Sequence, residues 1–332
     1  MAITAQDVNK LRKMTGAGMM DCKKALTEAN GDFDAAVDII RKRGQIIASK
    51  RADREATEGA VLSRVDATGK YGALIVLNCE TDFVAKNEGF VALANSILDV
   101  AIASKPANLE ALKALDLGGV SVADKVTEQS GVIGEKIELS AFEVVEAESV
   151  SAYIHAGNKL ATIVGFNQPS VDAQAGKDVA MQIAAMNPIA VDEDGVSEEI
   201  KQTEINVAIE KTKAELVQKA VDAALNKAGI NPAHVDSEDH MESNKAKGWI
   251  TEEDVVKAKE IIATVSAEKA ASLPEAMIQN IAKGRLAKFL KEVCLLNQED
   301  ILDGKKTVRE TLKAADAELK ITAFKRFTLR AE

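Results

Sequence analysis

The chain has 332 residues, 46% hydrophobic and 28% charged, which gives room for two or three modest cores and excludes disorder as the default state. Its net charge of -10 repels a phosphate backbone and removes the usual electrostatic route to nucleic acid. No apolar run approaches the roughly 18 residues that span a bilayer, and Cys22, Cys79 and Cys294 are too scattered for a metal set and odd in number for a disulfide framework, so an unanchored protein of the reducing cytoplasm is expected.

The opening Met-Ala-Ile-Thr-Ala-Gln-Asp lacks the basic and apolar regions of a secretion signal. Thr4 with Asp7 three residues on marks a helix start, Val8, Leu11 and Met14 give that helix an apolar face, and Thr15-Gly16-Ala17-Gly18 breaks it. A second helix is predicted over Met20 to Ala29, closed at Asn30-Gly31. Asp32 caps a third, whose Phe33, Ala36, Val37, Ile39 and Ile40 turn inward and which Gly44 ends. Residues 1–54 hold 11 Lys/Arg against 7 Asp/Glu, so a small basic head precedes an acidic body. The stretch from Arg41 to Arg54 reads as an exposed helical linker, either a solvated face or a docking surface.

From Ala60 the period becomes strand-like. Val61 to Val65, a turn at Asp66-Ala67-Thr68-Gly69-Lys70, and Tyr71 to Glu80 predict a β-hairpin whose second strand is too continuously apolar to lie at a surface. An amphipathic helix over Glu88 to Ala103 follows. The same order recurs: Val150 to His155, a turn at Ala156 to Lys159, a strand over Leu160 to Phe166, and a helix over Val179 to Met186 ended by Asn187-Pro188. An α+β chain with two core subdomains of similar topology is therefore expected.

Between about Ser197 and Ser272, Ile200, Val207, Ala214, Val221 and Ala228 recur every seven residues with Val217 and Ala224 as partners, and Val255, Ala258, Ile262 and Val265 repeat the 3,4,3 spacing. Two long helices folding back through a polar connection, Gly229 to Gly248, are predicted. After Pro274 comes a basic amphipathic helix to about Leu296 with Ile278, Ile281, Phe289 and Leu290 inside. A short helix over Thr307 to Ala315 follows, and an alternating strand, Ile321 to Leu329, is placed to rejoin an earlier sheet, which makes the long helices an insertion.

Catalytic machinery is not legible. The chain has no GxGxxG or Walker loop, no HExxH and no GxSxG, and His155, His234 and His240 do not form a ligand set. No cofactor, no metal and no catalytic residue is therefore expected. Carboxylate pairs singled out by no spacing are what remains for an enzyme, and the expectation is a binding protein.

Two segments carry a resemblance. Thr15-Gly16-Ala17-Gly18-Met19-Met20-Asp21-Cys22-Lys23-Lys24-Ala25-Leu26 with Ala29-Asn30-Gly31-Asp32, and Asn78-Cys79-Glu80-Thr81-Asp82-Phe83-Val84-Ala85-Lys86-Asn87, closely resemble the signature stretches of the elongation factor Ts family. The agreement is dense over residues 1–100, weaker at Tyr153-Ile154-His155-Ala156-Gly157, and resumes at Lys283-Gly284-Arg285-Leu286-Ala287-Lys288-Phe289. The resemblance implies a ubiquitin-associated-like three-helix head (1–54), core subdomain N (55–145), core subdomain C (146–196 and 272–332) and a helical-hairpin or coiled-coil insertion (197–271). It implies a non-enzymatic guanine-nucleotide exchange factor of translation elongation whose partner is elongation factor Tu, GDP-bound and nucleotide-free, with no direct nucleic-acid or membrane partner; a homodimer and a 2:2 complex both stay open.

By the same resemblance, Thr81, Asp82, Phe83 and Val84 form the segment whose Asp-Phe pair inserts beside the magnesium site of the GTPase. Met19, Met20 and Lys23 dock on a helix of its nucleotide-binding domain, and His155 contacts its distal domain. Read without the resemblance, Phe83 plugs its own core and Asp82 caps the next helix, the methionines are equally bundle core, and His155 is a turn histidine facing water. The rival class is an adaptor or chaperone that uses the head to bind ubiquitin-like or nascent chains; it has no need of an Asp-Phe wedge. The insertion is longer than in the common bacterial pattern, and the sequence stops at Arg330-Ala331-Glu332, where many members continue into a C-terminal helical module, so that module's contact is expected to be missing.

Overall fold

The computed structural model describes residues 3–330. Met1, Ala2, Ala331 and Glu332, on which the readings of the two chain ends rest, lie outside the described residues. The chain is a mixture of helices and two small antiparallel sheets, and its contacts divide it into two compact units: residues up to Val191 together with those from Glu299, and Asp192–Gln298.

The first unit begins with α1 (Ala5–Thr15), α2 (Met19–Glu28) and α3 (Phe33–Lys50). Thr4 and Asp7 form the reciprocal capping box expected of the sequence, and Asp32 accepts from Asp34 N and Ala35 N to start α3. Gly31 sits at φ +87°, a left-handed backbone that L side chains resist, and so turns the chain between α2 and α3. Val8, Leu11, Cys22, Ala25, Leu26 and Ala36 close a small core. Two expectations fail here. Met14 is 53% exposed, and α3 continues through Gly44 to Lys50 because Gly44 lies at a close helix crossing and does not terminate anything.

The first sheet has the order β1-β2-β3, from β1 (Glu58–Val65), β2 (Tyr71–Cys79) and β3 (Glu138–Glu146). Between β2 and β3 run the single-turn α4 (Asp82–Ala85), α5 (Glu88–Ser104), α6 (Leu109–Ala114) and α7 (Val122–Ile133). Alternation along β2 explains its unbroken apolarity. Ala73, Ile75, Leu77 and Cys79 join the core containing Phe90, Leu93, Ile97 and Leu98 of α5, while Leu74 and Val76 meet Val150, Ala161 and Ile163 on the other face. The strand is buried at every position.

The second sheet, in the order β4-β5-β6, is built from β4 (Ser149–Ile154), β5 (Leu160–Phe166) and the returning β6 (Ile321–Thr328). α8 (Ala173–Met186) packs on β4 and β5. Each sheet is a hairpin whose second strand accepts a third, antiparallel strand; in the first sheet that strand is β3, which no pattern in the sequence had singled out.

The second unit holds α9 (Glu198–Lys227), α10 (Glu238–Ala246), α11 (Glu252–Ala271) and α12 (Glu275–Val293); α13 (Val308–Ala315) lies in the first unit. Both α11 and α12 pack along α9. The expected heptad seam fails over most of α9: Val221 is buried and Ala228 half-buried, but Ile200, Val207 and Ala214 are exposed and Ala208 and Thr212 take the inner side, while on α11 Val255 and Ala258 are buried as expected. A helix flanked by two neighbours buries a wider stripe than a two-stranded seam, which shifts the inner face. Residues 272–298, grouped with a core subdomain by the sequence reading, fall in the second unit by contact, where Ile278 and Ala282 are buried and Arg285 reaches Glu215 at 2.5 Å. The polar connection contains α10, and its Ile230, Val235 and Met241, with Ile250 just beyond it, join Val221 and Leu225 of α9 and Val255 and Ala258 of α11 in one core.

Candidate functional site

β2 ends at Cys79, and the chain turns at once into a one-turn helix. Thr81 caps it, its hydroxyl accepting from Val84 N at 3.4 Å, and Asn87 caps α5 immediately after. Ala85 is buried and Val84 packs against the first core, so the short helix is held by its third and fourth residues while its first two stay outside. Phe83 is 83% exposed. Leaving such a ring in water forgoes about 1.5–3 kcal/mol of burial free energy. The reading in which Phe83 plugs its own core is excluded, as is the one in which Asp82 caps a helix, since Thr81 and Asn87 hold the cap positions.

Asp82 pairs with Lys86 at 2.6 Å. The Lys86 ammonium, with a smaller contribution from Lys159, holds the Asp82 carboxyl below the ordinary range, so it carries its charge at neutral pH. Lys159 comes from the turn between β4 and β5 and is fixed to Glu58 at 2.7 Å. The Asp-Phe turn and the second hairpin's turn are therefore electrostatic neighbours. The Cys79 thiol, pushed up to about 12 chiefly by burial, stays protonated and donates to Thr81 O at 3.2 Å.

Three side chains that the sequence did not single out anchor the turn. Glu135 accepts from Glu80 N and Thr81 N, each at 3.1 Å, and from the Thr81 hydroxyl at 2.7 Å. Glu80 in return accepts from Lys136 N at 2.6 Å and from Arg51 Nη1 at 2.9 and 3.0 Å. The Lys136 amide, then the Arg51 guanidinium, keep the Glu80 carboxyl below the usual glutamate value. No sequence signal marks Glu135, which lies 54 residues from Thr81; Glu80 was legible only as part of the motif.

Met19 and Met20 stand at the first turn of α2, 42% and 65% exposed, and Lys23 is exposed one turn further on. They are not bundle core, which Cys22, Ala25 and Leu26 fill from the same helix. Helix α3 joins this head to α7: Arg41 Nε donates to Glu128 at 2.6 Å, and Gly44 lies against Gly131 so closely that a methyl built on Gly131 would overlap the Gly44 backbone.

His155 is half-buried at the base of the β4–β5 turn, its Nδ1 2.9 Å from the Tyr153 hydroxyl. A hollow of about 440 Å³ beside it is lined by Tyr153, His155, Met181, Arg326 and Arg330 among others. Thr81 and Val84 are occupied inside the protein, whereas Asp82, Phe83, Met19, Met20 and Lys23 are available outside it. Among the described residues no group of three or more His, Cys, Asp or Glu is placed to hold a metal ion, and no helix is long and apolar enough to cross a membrane.

Comparison with known proteins gives a consistent result. The family model described as elongation factor TS matches residues 80–331. Proteins named elongation factor Ts from Bacteroides fragilis and Bacteroides thetaiotaomicron are 68% and 67% identical to this chain, and one from Porphyromonas gingivalis is 42% identical, in each case over the whole of both chains.

Proposed function

The chain belongs to the elongation factor Ts family, and from that premise we propose that it is the guanine-nucleotide exchange factor of elongation factor Tu, acting in the cytoplasm without chemistry of its own. It binds the GDP-loaded GTPase, disturbs the magnesium and phosphate site, and leaves a nucleotide-free complex that GTP reloads. The observation that carries this reading is Phe83, 83% exposed at the outer turn of a helix whose other face is anchored in the core.

Exchange needs no bond made or broken. A partner that binds the empty GTPase better than the loaded one lowers nucleotide affinity by the same factor that nucleotide lowers the partner's. Phe83 supplies apolar bulk that separates packed elements of the nucleotide-binding domain, and Asp82 brings a negative charge toward a site whose cation and phosphates are balanced against each other. Residues 1–54 serve as the ubiquitin-associated-like docking head, with Met19, Met20 and Lys23 on the GTPase surface; thioether side chains suit a contact that shifts during exchange. His155 and its hairpin take the distal domain, Thr81 and Val84 hold the wedge in place, and the long helices of residues 197–271 are the coiled-coil insertion.

The test is release of a labelled GDP from purified elongation factor Tu. Wild-type chain accelerates it; Phe83→Ala, which loses no internal contact of weight, folds and reduces the acceleration at saturation roughly 30-fold, the loss expected of an aromatic anchor worth about 2 kcal/mol. Unchanged release with the wild-type chain would sink the reading.

A further inference from the structure

We propose that Glu135 is the positioning residue of the exchange wedge: its one carboxylate fixes the turn that aims Asp82 and Phe83. The inference rests on the wedge reading above and adds to it the device that holds the wedge in register.

The need for such a device follows from backbone accounting. β2 pairs with β1 as far as Cys79, opposite Glu58, and with β3 as far as Asn78, opposite Glu138. Beyond Cys79 neither neighbouring strand continues the ladder, so the amides of Glu80 and Thr81 have no strand partner, and a part-buried N–H without an acceptor is costly. One oxygen of Glu135 takes both amides, and its other oxygen takes the Thr81 hydroxyl. That same hydroxyl accepts from Val84 N and so starts α4. A continuous chain of bonds thus runs from Glu135 through Thr81 into the turn that carries Phe83.

The apolar contacts of Val84 and Ala85 hold α4 down, but apolar contact is not directional. Three charge-assisted bonds to one carboxylate are directional. The arrangement is also reciprocal, since Glu80 grips Lys136 N, the residue after Glu135, and Arg51 from the end of α3. Glu135 follows Gly134, the left-handed cap of α7, and α7 is the helix on which α3 is seated through Gly44 and Arg41. The head and the wedge are therefore referenced to one helix, which sets the spacing between Met20 and Phe83.

The experiment measures labelled-GDP release from elongation factor Tu against concentration of the full-length chain, for wild type, E135A, E135Q, F83A and the F83A/E135A pair, with hydrogen exchange of the Glu80 and Thr81 amides in the free protein. E135A is expected to lower the saturating rate about tenfold, as a misaimed group does, while the half-saturating concentration moves less than about threefold, because the head still docks. E135Q keeps an oxygen for the two amides and an amide donor for the Thr81 hydroxyl, and stays within about threefold of wild type. In the F83A background E135A causes no further loss, the signature of a residue acting through Phe83. Amide exchange at Glu80 and Thr81 speeds up about tenfold in E135A, as release of the acceptor the two amides share requires.

A wild-type saturating rate in E135A, an equal loss with and without Phe83, or unchanged protection of the two amides would each overturn the proposal. Should E135A fail to fold, E135D keeps the charge but is one methylene too short for all three donors, and it carries the same expectations and the same overturning results. The two readings fail separately: a wild-type chain that leaves GDP release unaltered removes the exchange function, whereas wild type and F83A behaving as expected beside a fully active E135A removes only the role of Glu135.

Discussion

At the scale of single residues, the protein spends an exposed aromatic and a cluster of carboxylates on one turn. Met20 at 65% exposure contributes little to the fold, so Met20→Ala is expected to leave stability unchanged and to weaken complex formation about fivefold, or about 1 kcal/mol, with a smaller effect on the saturating release rate; titration of the exchange rate against chain concentration separates the two. The Glu80 clamp has a pH signature. Its folded pKa lies below the ordinary 4.5 because the Lys136 amide and Arg51 favour the carboxylate, so its contribution is complete above the unfolded value and is lost as pH falls through the lower folded one. Urea midpoints of wild type and Glu80→Gln, compared from about pH 6 down to pH 3, should differ most at the upper end and converge at the lower; a gap that widens in acid would contradict the clamp. The motif around Thr81 was legible in sequence because its residues are contiguous. Glu135 was not, because a carboxylate that meets it from 54 residues away leaves no local pattern.

At the scale of elements, the crossing of α3 and α7 decides how the head is carried. Glycine inside a helix costs roughly 1 kcal/mol relative to alanine, which is why Gly44 read as a helix end. The helix continues because it crosses α7 at this point, and the close approach of the two backbones depends on the missing Cβ of Gly131, not on that of Gly44. A methyl on Gly44 would meet the Gly131 Cα at an ordinary 3.6 Å, whereas one on Gly131 would run into the Gly44 backbone. Gly44→Ala is therefore expected to be neutral or stabilising by up to about 1 kcal/mol. Gly131→Ala loses that helical gain to overpacking and comes out destabilised by about 1–3 kcal/mol, which urea unfolding of the two variants checks directly. Capping and turn signals were readable: the Thr4–Asp7 box, Asp32 and the Asp66–Lys70 turn are local and stand where the sequence put them. α7 has local signals of the same kind, Ser121 accepting from Asp124 N and Val122, Val126 and Ser130 buried four residues apart, whereas β3 is defined by its pairing with β2.

At the scale of the molecule, two units each enclose apolar side chains of their own. The second has Val221, Leu225, Ile230, Val235, Met241 and Ile250, and it contains the single tryptophan, Trp249, whose ring lies 5.4 Å from that of His234. Denaturation is expected to depart from a two-state transition, with Trp249 fluorescence following the second unit. Leu225→Ala should move the fluorescence transition by about 2–5 kcal/mol and leave the transition of the sheet-containing unit, followed by its β-sheet circular dichroism, in place. Equal shifts in both signals would show that the cores melt together.

By itself the sequence determined the family, the helix starts at Thr4 and Asp32, the two hairpins and the Asp-Phe motif, since all of these are written in neighbouring residues or at short fixed spacing. Tertiary structure alone decided that α3 runs through Gly44, that α12 belongs with α9, and that Phe83 stands outward on a turn stitched to Glu135. Each of those depends on which distant segment arrives to fill a face or satisfy an amide, and contact between segments far apart in the chain is settled by packing and hydrogen-bond pairing after the local elements have formed.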